Sequence, residues 1–285
     1  MANIVNQYGQ VKVGVRTQAG GGGVTPLLLD TYSGATAAYS LRKLRTAYTG
    51  YAIRVRRSSD NTSLDIGFVN GELDTTSISN FVGANSGYVS IWYDQSGSYN
   101  LIQNTLSNQP SIVLSGVLNT QNSKPVLITD YNSFMGNASV PIDGTTNSIF
   151  NVIKLTSTRG DSAIISGLGN NNQHFISRNV NGNNRFYDSI TNITASPLPN
   201  GYNLVNTHEN SSGVTVFENG VNLVTNYTHN TTNSIGIRIF RRFTLDGLYM
   251  TNGSGFSEIV IYGNSSRLTD NTGISSNINT YYSIY

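Results

Sequence analysis

The sequence predicts an all-β sandwich of antiparallel strands, and three observations carry that expectation. Only 11% of the residues are charged, while Asn, Ser, Thr and Gly fill the stretches between short apolar runs. That is a strand-and-turn composition with uncharged loops. Asn-Gly pairs at 70–71, 181–182 and 219–220 lie between strand candidates, where a tight turn needs positive φ angles. Strand patterns also do not alternate with helical ones, which excludes a parallel α/β sheet. At 285 residues the chain suits one large all-β domain with a short arm.

Near the start, Val11, Val13 and Val15 alternate with Lys12, Gly14 and Arg16, the pattern of a half-buried strand. Four glycines, residues 20–23, follow Ala19 and leave the backbone very free. Residues 1–24 therefore read either as an anchoring arm on a tether or as an N-terminal strand packed on the main sheet. Residues 25–285 are assigned to the sandwich. In ATAAYSLRKLRTAY, residues 35–48, Ala38, Leu41, Leu44 and Tyr48 fall at helical spacing with basic residues opposite, which predicts a helix. Strands are predicted over 52–55, 88–93, 111–114, 148–155, 163–165, 214–217, 235–240 and 258–262. The stretch VTVFENGVNLV, 214–224, predicts a hairpin turning at Asn219-Gly220. Ile274, Ile278 and Tyr281 in the tail predict a short closing helix within 268–285.

The 17 basic and 15 acidic side chains nearly cancel, so no long-range field steers the chain to nucleic acid or an anionic membrane. No apolar run approaches the roughly 18 residues of a membrane span, and the first residues lack the pattern of an export signal. No membrane insertion and no ordinary secretion are expected. With no Cys there is no disulfide, thiolate site or cysteine nucleophile. His174, His208 and His229 lack metal-ligand spacing and read as loop or strand-surface residues. Asp60-Asn61 and Asp270-Asn271 offer hard oxygens, but calcium needs about six to eight of them. Neither a metal nor a cofactor is expected.

Two stretches, LLDTYSGATAAYSLRKLRTAYTGYAIRVRRSSD from Leu28 and SIWYDQSGSYNLIQ from Ser90, resemble the catalytic domain of B-type α-L-arabinofuranosidases. FSEIVIYGNSSRLTDNTGISSNINTYY, from Phe256, is similar to that family's last strand and terminal helix. The resemblance implies a concanavalin A-like jelly roll of two antiparallel sheets with one or two short helices. Read from the residues, Asp94 suits an Asx-type turn and Gly97 a sharp reversal, so YDQSG reads first as a turn holding the sheet edge. At least one of Arg54, Arg56 and Arg57 is expected to reach inward to a carboxylate such as Asp94 or Asp60. Otherwise Arg56 and Arg57 are expected in solvent.

A retaining glycosidase needs two carboxylates about 5 to 5.5 Å apart. The resemblance places the acid near Asp246, twelve residues before Glu258 and one off the family's spacing. It places the nucleophile in the region of SGLGNNNQHFISRNVNG, from Ser166, which holds no carboxylate, and the family's cysteine pair is absent. On that ground the chain is expected not to be an enzyme. Aromatic faces with amides around them suit a sugar ring. Candidate ligand-binding residues are Tyr93, Asp94 and Gln95 at the family-like turn, and Asn172, His174, Arg178, Arg185 and Tyr187 in the middle of the domain. Similar modules in bacteriophage structural proteins make a virion-surface head or tail fibre, or a decoration component, the first expectation. In it residues 1–24 dock to other virion proteins, the chain forms a homotrimer, and the sandwich faces a host-surface glycan. The alternatives are an arabinofuranosidase-like hydrolase and a structural module with no ligand.

Overall fold

Short runs of branched and aromatic residues pair into two layers of antiparallel strands in the computed structural model. The structure describes residues 26–143, 145–156, 199–227, 234–241 and 250–285, with the strand backbones 162–167, 175–178, 183–188 and 191–197. The expected arm, residues 1–24, lies outside the described residues, as does the 181–182 turn. One turn of helix, α1 (Leu28–Thr31), leads to β1 (Ala37–Ser40), β2 (Ile53–Arg57) and β3 (Ser63–Ile66). A small hairpin, β4 (Phe68–Val69) and β5 (Glu72–Leu73), and helix α2 (Thr75–Val82) precede β6 (Gly87–Trp92), β7 (Leu101–Ile102), β8 (Ser111–Leu114) and β9 (Val117–Leu118). Three two-residue strands follow, β10 (Thr120–Gln121), β11 (Lys124–Pro125) and β12 (Leu127–Ile128), then the long β13 (Met135–Ile142) and β14 (Asn147–Leu155). An antiparallel meander runs through β15 (Ser162–Gly167), β16 (Phe175–Arg178), β17 (Asn183–Asp188) and β18 (Thr191–Pro197). The chain ends with β19 (Gly201–Asn210), β20 (Gly213–Glu218), β21 (Val221–Tyr227), β22 (Ser234–Ile239), β23 (Gly255–Tyr262) and helix α3 (Asn271–Tyr282).

One layer has the order β1–β23–β14–β19–β20–β21. The other contains β3–β2–β6 and β7–β13–β22–β15. Strand β12 pairs with both β23 and β8, so the layers join at an edge and 19 strands share one hydrogen-bonded sheet. The main core lies between the layers, where Val55, Val89, Trp92 and Ile239 meet Tyr39, Ile149, Phe256 and Ile259. A second core lies on the outer face of the first layer, where Phe150, Leu204, Val260 and Tyr262 are covered by Leu28, Ile274, Ile278 and Tyr282. Strand β23 is thus enclosed on both faces, and all eight of its residues are buried.

This double burial decides two local outcomes. The helix expected over 35–48 does not form. Ala37, Ala38, Tyr39 and Ser40 are all buried and pair with Ile261, Val260, Ile259 and Glu258, so the ladder to β23 overrides the helical spacing. The closing helix does form, as α3, because its Ile274 and Ile278 cap the second core. The 214–224 hairpin is present, with φ of 49° at Asn219 and 80° at Gly220 in the turn between β20 and β21.

His208, expected at a surface, is fully buried on β19 beneath α3. Its ring sits between the edges and faces of Phe150 and Phe217, at 5.3 and 5.7 Å between centroids. Ser148 Oγ lies 2.7 Å from Nδ1, and Asn271 Oδ1 lies 2.9 Å from Nε2. An amide oxygen only accepts, so Nε2 carries the hydrogen and Nδ1 accepts from the serine hydroxyl. Burial pushes the imidazole down to about 4, against a smaller upward pull from Asn271. The unfolded chain takes up a proton near pH 6.5 that the folded chain refuses until about pH 4, so stability falls as pH drops through that window. The loss at the acid end should be roughly 3 kcal/mol. Urea unfolding at pH 7 and pH 4.5 should show this slope, and His208→Gln should remove it; an unchanged slope in the variant would refute the assignment.

Candidate functional site

The YDQSG segment follows β6 and turns inward. Asp94 Oδ1 accepts from the amides of Ala38 and Ser96, both at 2.8 Å, and from Ser96 Oγ at 2.7 Å, while Oδ2 accepts from the Tyr99 amide at 3.1 Å. A Cβ on Gly97 would stand 3.2 Å from Oδ2, so a side chain there would press on the carboxylate. Gln95 is fully buried; Oε1 accepts from the Leu44 amide, and Nε2 donates to the carbonyls of Ser40 and Arg42. Asp94 and Gln95 therefore spend their polar atoms tying the turn to β1 and the extended chain behind it. Neither presents a group to a ligand.

Tyr93 differs, because it is only partly buried and faces a small surface cluster. Its hydroxyl donates to Asp65 Oδ1 at 2.6 Å, and Asp65 takes both Nε and Nη2 of Arg54 at 2.8 and 2.7 Å. The hydrogen bonds from Arg54 hold the Asp65 carboxyl below its ordinary value, and burial, helped by Asp65, pushes the Tyr93 phenol up to about 12. The Tyr93 ring packs 6.0 Å from Tyr51, which is half exposed. Arg57 pairs with Asp60, but the pair lies at the surface and does not reach inward as expected. Arg56 is not in solvent; it is 7% exposed and bonds Gln109, Asn61 and the Leu106 carbonyl.

Two features escaped the sequence reading. Arg42 and Glu258 form a buried bidentate ion pair at 2.7 and 2.9 Å, and Glu258 also accepts from Ser40 Oγ and the Tyr282 hydroxyl. Burial would lower the arginine, but the charge and hydrogen bonds of Glu258, with Tyr282 and Tyr281, together outweigh it and leave Arg42 above its ordinary value. The second is a cleft of about 450 Å³ beside Tyr51, lined by Lys43, Tyr48, Phe68 and Asn70. Among the described residues no three His, Asp or Glu side chains converge as a metal would require.

The mid-domain candidates are reached only in part. Asn172, His174 and Asp246 lie outside the described residues. Arg178 ends β16 and pairs with Asn184, while Arg185 and Tyr187 lie on β17 opposite Ser177 and Phe175.

The fold sets the class first. A GH54 α-L-arabinofuranosidase soaked with a cyclic sulfate inhibitor overlays with a TM-score of 0.66 at 14% identity, over 86% of this chain and 62% of that one. An arabinofuranosidase complexed with arabinofuranosyl-α-1,2-xylobiose overlays at 0.64, with the same identity and coverage. At that identity the overlay shows a shared β-sandwich, and this chain spans 62% of each solved structure. The family follows from the sequence itself: residues 30–173 match the model for "Alpha-L-arabinofuranosidase B, catalytic", and the chain belongs to that family. A comparison with curated proteins finds no match. The expectation of a non-enzymatic phage fibre or decoration protein is thereby corrected, since the matched family and both overlaid structures are arabinofuranosidases. The absence of a carboxylate from one segment does not outweigh a match over half the chain.

The geometry of the turn yields its own test. Asp94→Ala strands the amides of Ala38, Ser96 and Tyr99 and should cost about 3–5 kcal/mol in denaturant unfolding. Asp94→Asn keeps one acceptor oxygen and should cost less; a loss under about 1 kcal/mol for the alanine variant would refute the claim that Asp94 ties the turn to β1.

Proposed function

We propose that the chain is a glycoside hydrolase domain of the arabinofuranosidase type, acting on α-L-arabinofuranosides with two carboxylates of its own. The observation that carries this reading is the family match over residues 30–173, supported by the shared sandwich. Hydrolysis of this kind needs one carboxyl to protonate the leaving oxygen and a second to attack the anomeric carbon.

Described carboxylates already have structural partners. Asp30 binds Thr46, Asp74 caps α2 through Ser77, and Asp130 and Asp143 hold turns at Ser133 and Thr145. Asp60, Asp65, Glu72, Glu258 and Asp270 are in ion pairs, Glu209 meets Asn147, Asp94 holds its turn, and Glu218 is engaged as well. Three carboxylates remain in the segments 157–198 and 228–249, namely Asp161, Asp188 and Asp246. Asp246 is the acid by resemblance. Asp161 and Asp188 flank the carboxylate-free stretch on either side, so the nucleophile is assigned to one of them.

Release of 4-nitrophenol from 4-nitrophenyl α-L-arabinofuranoside tests this reading. Asp246→Asn and one of Asp161→Asn and Asp188→Asn should each lower kcat about a hundredfold or more, with folding unchanged. No release by the unaltered chain, or full activity in all three variants, would overturn it.

A further inference from the structure

The cleft beside Tyr51 has a built wall. Tyr48 donates its hydroxyl to the Tyr51 carbonyl at 2.7 Å, which fixes its ring over Gly50. A Cβ on Gly50 would lie 2.6 Å from that hydroxyl oxygen, so the ring occupies the space a side chain would fill. Phe68 packs edge-on against Tyr48 at 6.4 Å between centroids. On the other side Tyr51 leans on Tyr93, whose hydroxyl is held by Asp65, itself clamped by Arg54. The Tyr48 and Tyr93 hydroxyls are thus bonded to groups of the protein, and the rings are held in place before any ligand arrives. Lys43 and the exposed Asn70 lie at the same cleft and supply donors and an acceptor.

We propose that this cleft is a binding subsite for a neutral sugar residue of a polysaccharide chain, apart from the carboxylates assigned to hydrolysis. A volume near 450 Å³ falls within the range of small-molecule sites, about 300–1,000 Å³. The C–H face of a sugar ring packs on an aromatic ring, while amide and ammonium donors satisfy its hydroxyls. Rings already held in place lose little entropy on binding. The neighbouring Arg54 offers no fork to a carboxylate, because its Nε and Nη2 are already on Asp65, and Lys43 is the cation in the cleft lining. The choice of an arabinose-bearing polymer rests on the hydrolase reading; the geometry of the cleft does not.

Native gel electrophoresis through soluble arabinoxylan provides the test, with a gel lacking polysaccharide as reference. The unaltered chain should be retarded. Tyr51→Ala should weaken retardation about tenfold, and Tyr51→Phe, which keeps the ring, should restore it. Tyr51 is half exposed, so both variants should melt like the parent. Release of 4-nitrophenol from the small arabinofuranoside should be the same in Tyr51→Ala as in the parent. Absence of retardation in the parent, or equal retardation of Tyr51→Ala, overturns the subsite. Retardation that depends on Tyr51 without any release of 4-nitrophenol would uphold the subsite and overturn the hydrolase reading alone.

Discussion

A carboxylate with no access to water must be answered by a cation and by hydrogen bonds, and Glu258 is such a group. It sits on β23, the strand enclosed by core on both faces, and its partner Arg42 comes from the chain just after β1. Ser40 and Tyr282 complete its bonds. The arginine in turn lies against the rings of Tyr281 and Tyr282 on α3, 4.7 and 5.7 Å from their centroids. One ion pair therefore fixes the start of the sandwich, its last strand and the closing helix together. A hydrophobic replacement of the pair could be as stable, but loss of one partner leaves a buried charge unanswered.

From this pair the network spreads to the YDQSG turn. Gln95 bonds the carbonyls of Ser40 and Arg42, and Asp94 bonds the amide of Ala38. The three stretches that carry the family resemblance, near Leu28, Ser90 and Phe256, thus meet in one buried polar seam. Their shared residues preserve a scaffold. The chemistry assigned to the domain lies elsewhere, in carboxylates of the middle and late segments, and the Tyr48–Tyr51–Tyr93 surface borders the seam from outside.

Much of the strand framework was legible because turns and alternation are local signals. Asn219-Gly220 announces its hairpin, and Ile274 with Ile278 announces a helix that has one face to bury. The failures arise where a second layer changes the rule. Ala37 to Ser40 has no period of two because both of its faces are buried, and its alanines then pass for helix. His208 looks like a surface residue among polar neighbours, yet α3 brings Asn271 and covers it. Asp94 was legible as a turn former, but its partner Ala38 is 56 residues away, so its burial was not. Glu258 gave no local sign of an arginine 216 residues earlier.

The measurement closest to the centre of this account is a double-mutant cycle on Arg42 and Glu258, using Arg42→Met and Glu258→Leu in equilibrium unfolding. Each single change should cost about 3–5 kcal/mol, and the pair together should cost clearly less than the sum. Small, additive losses would contradict the claim that this ion pair organises the fold.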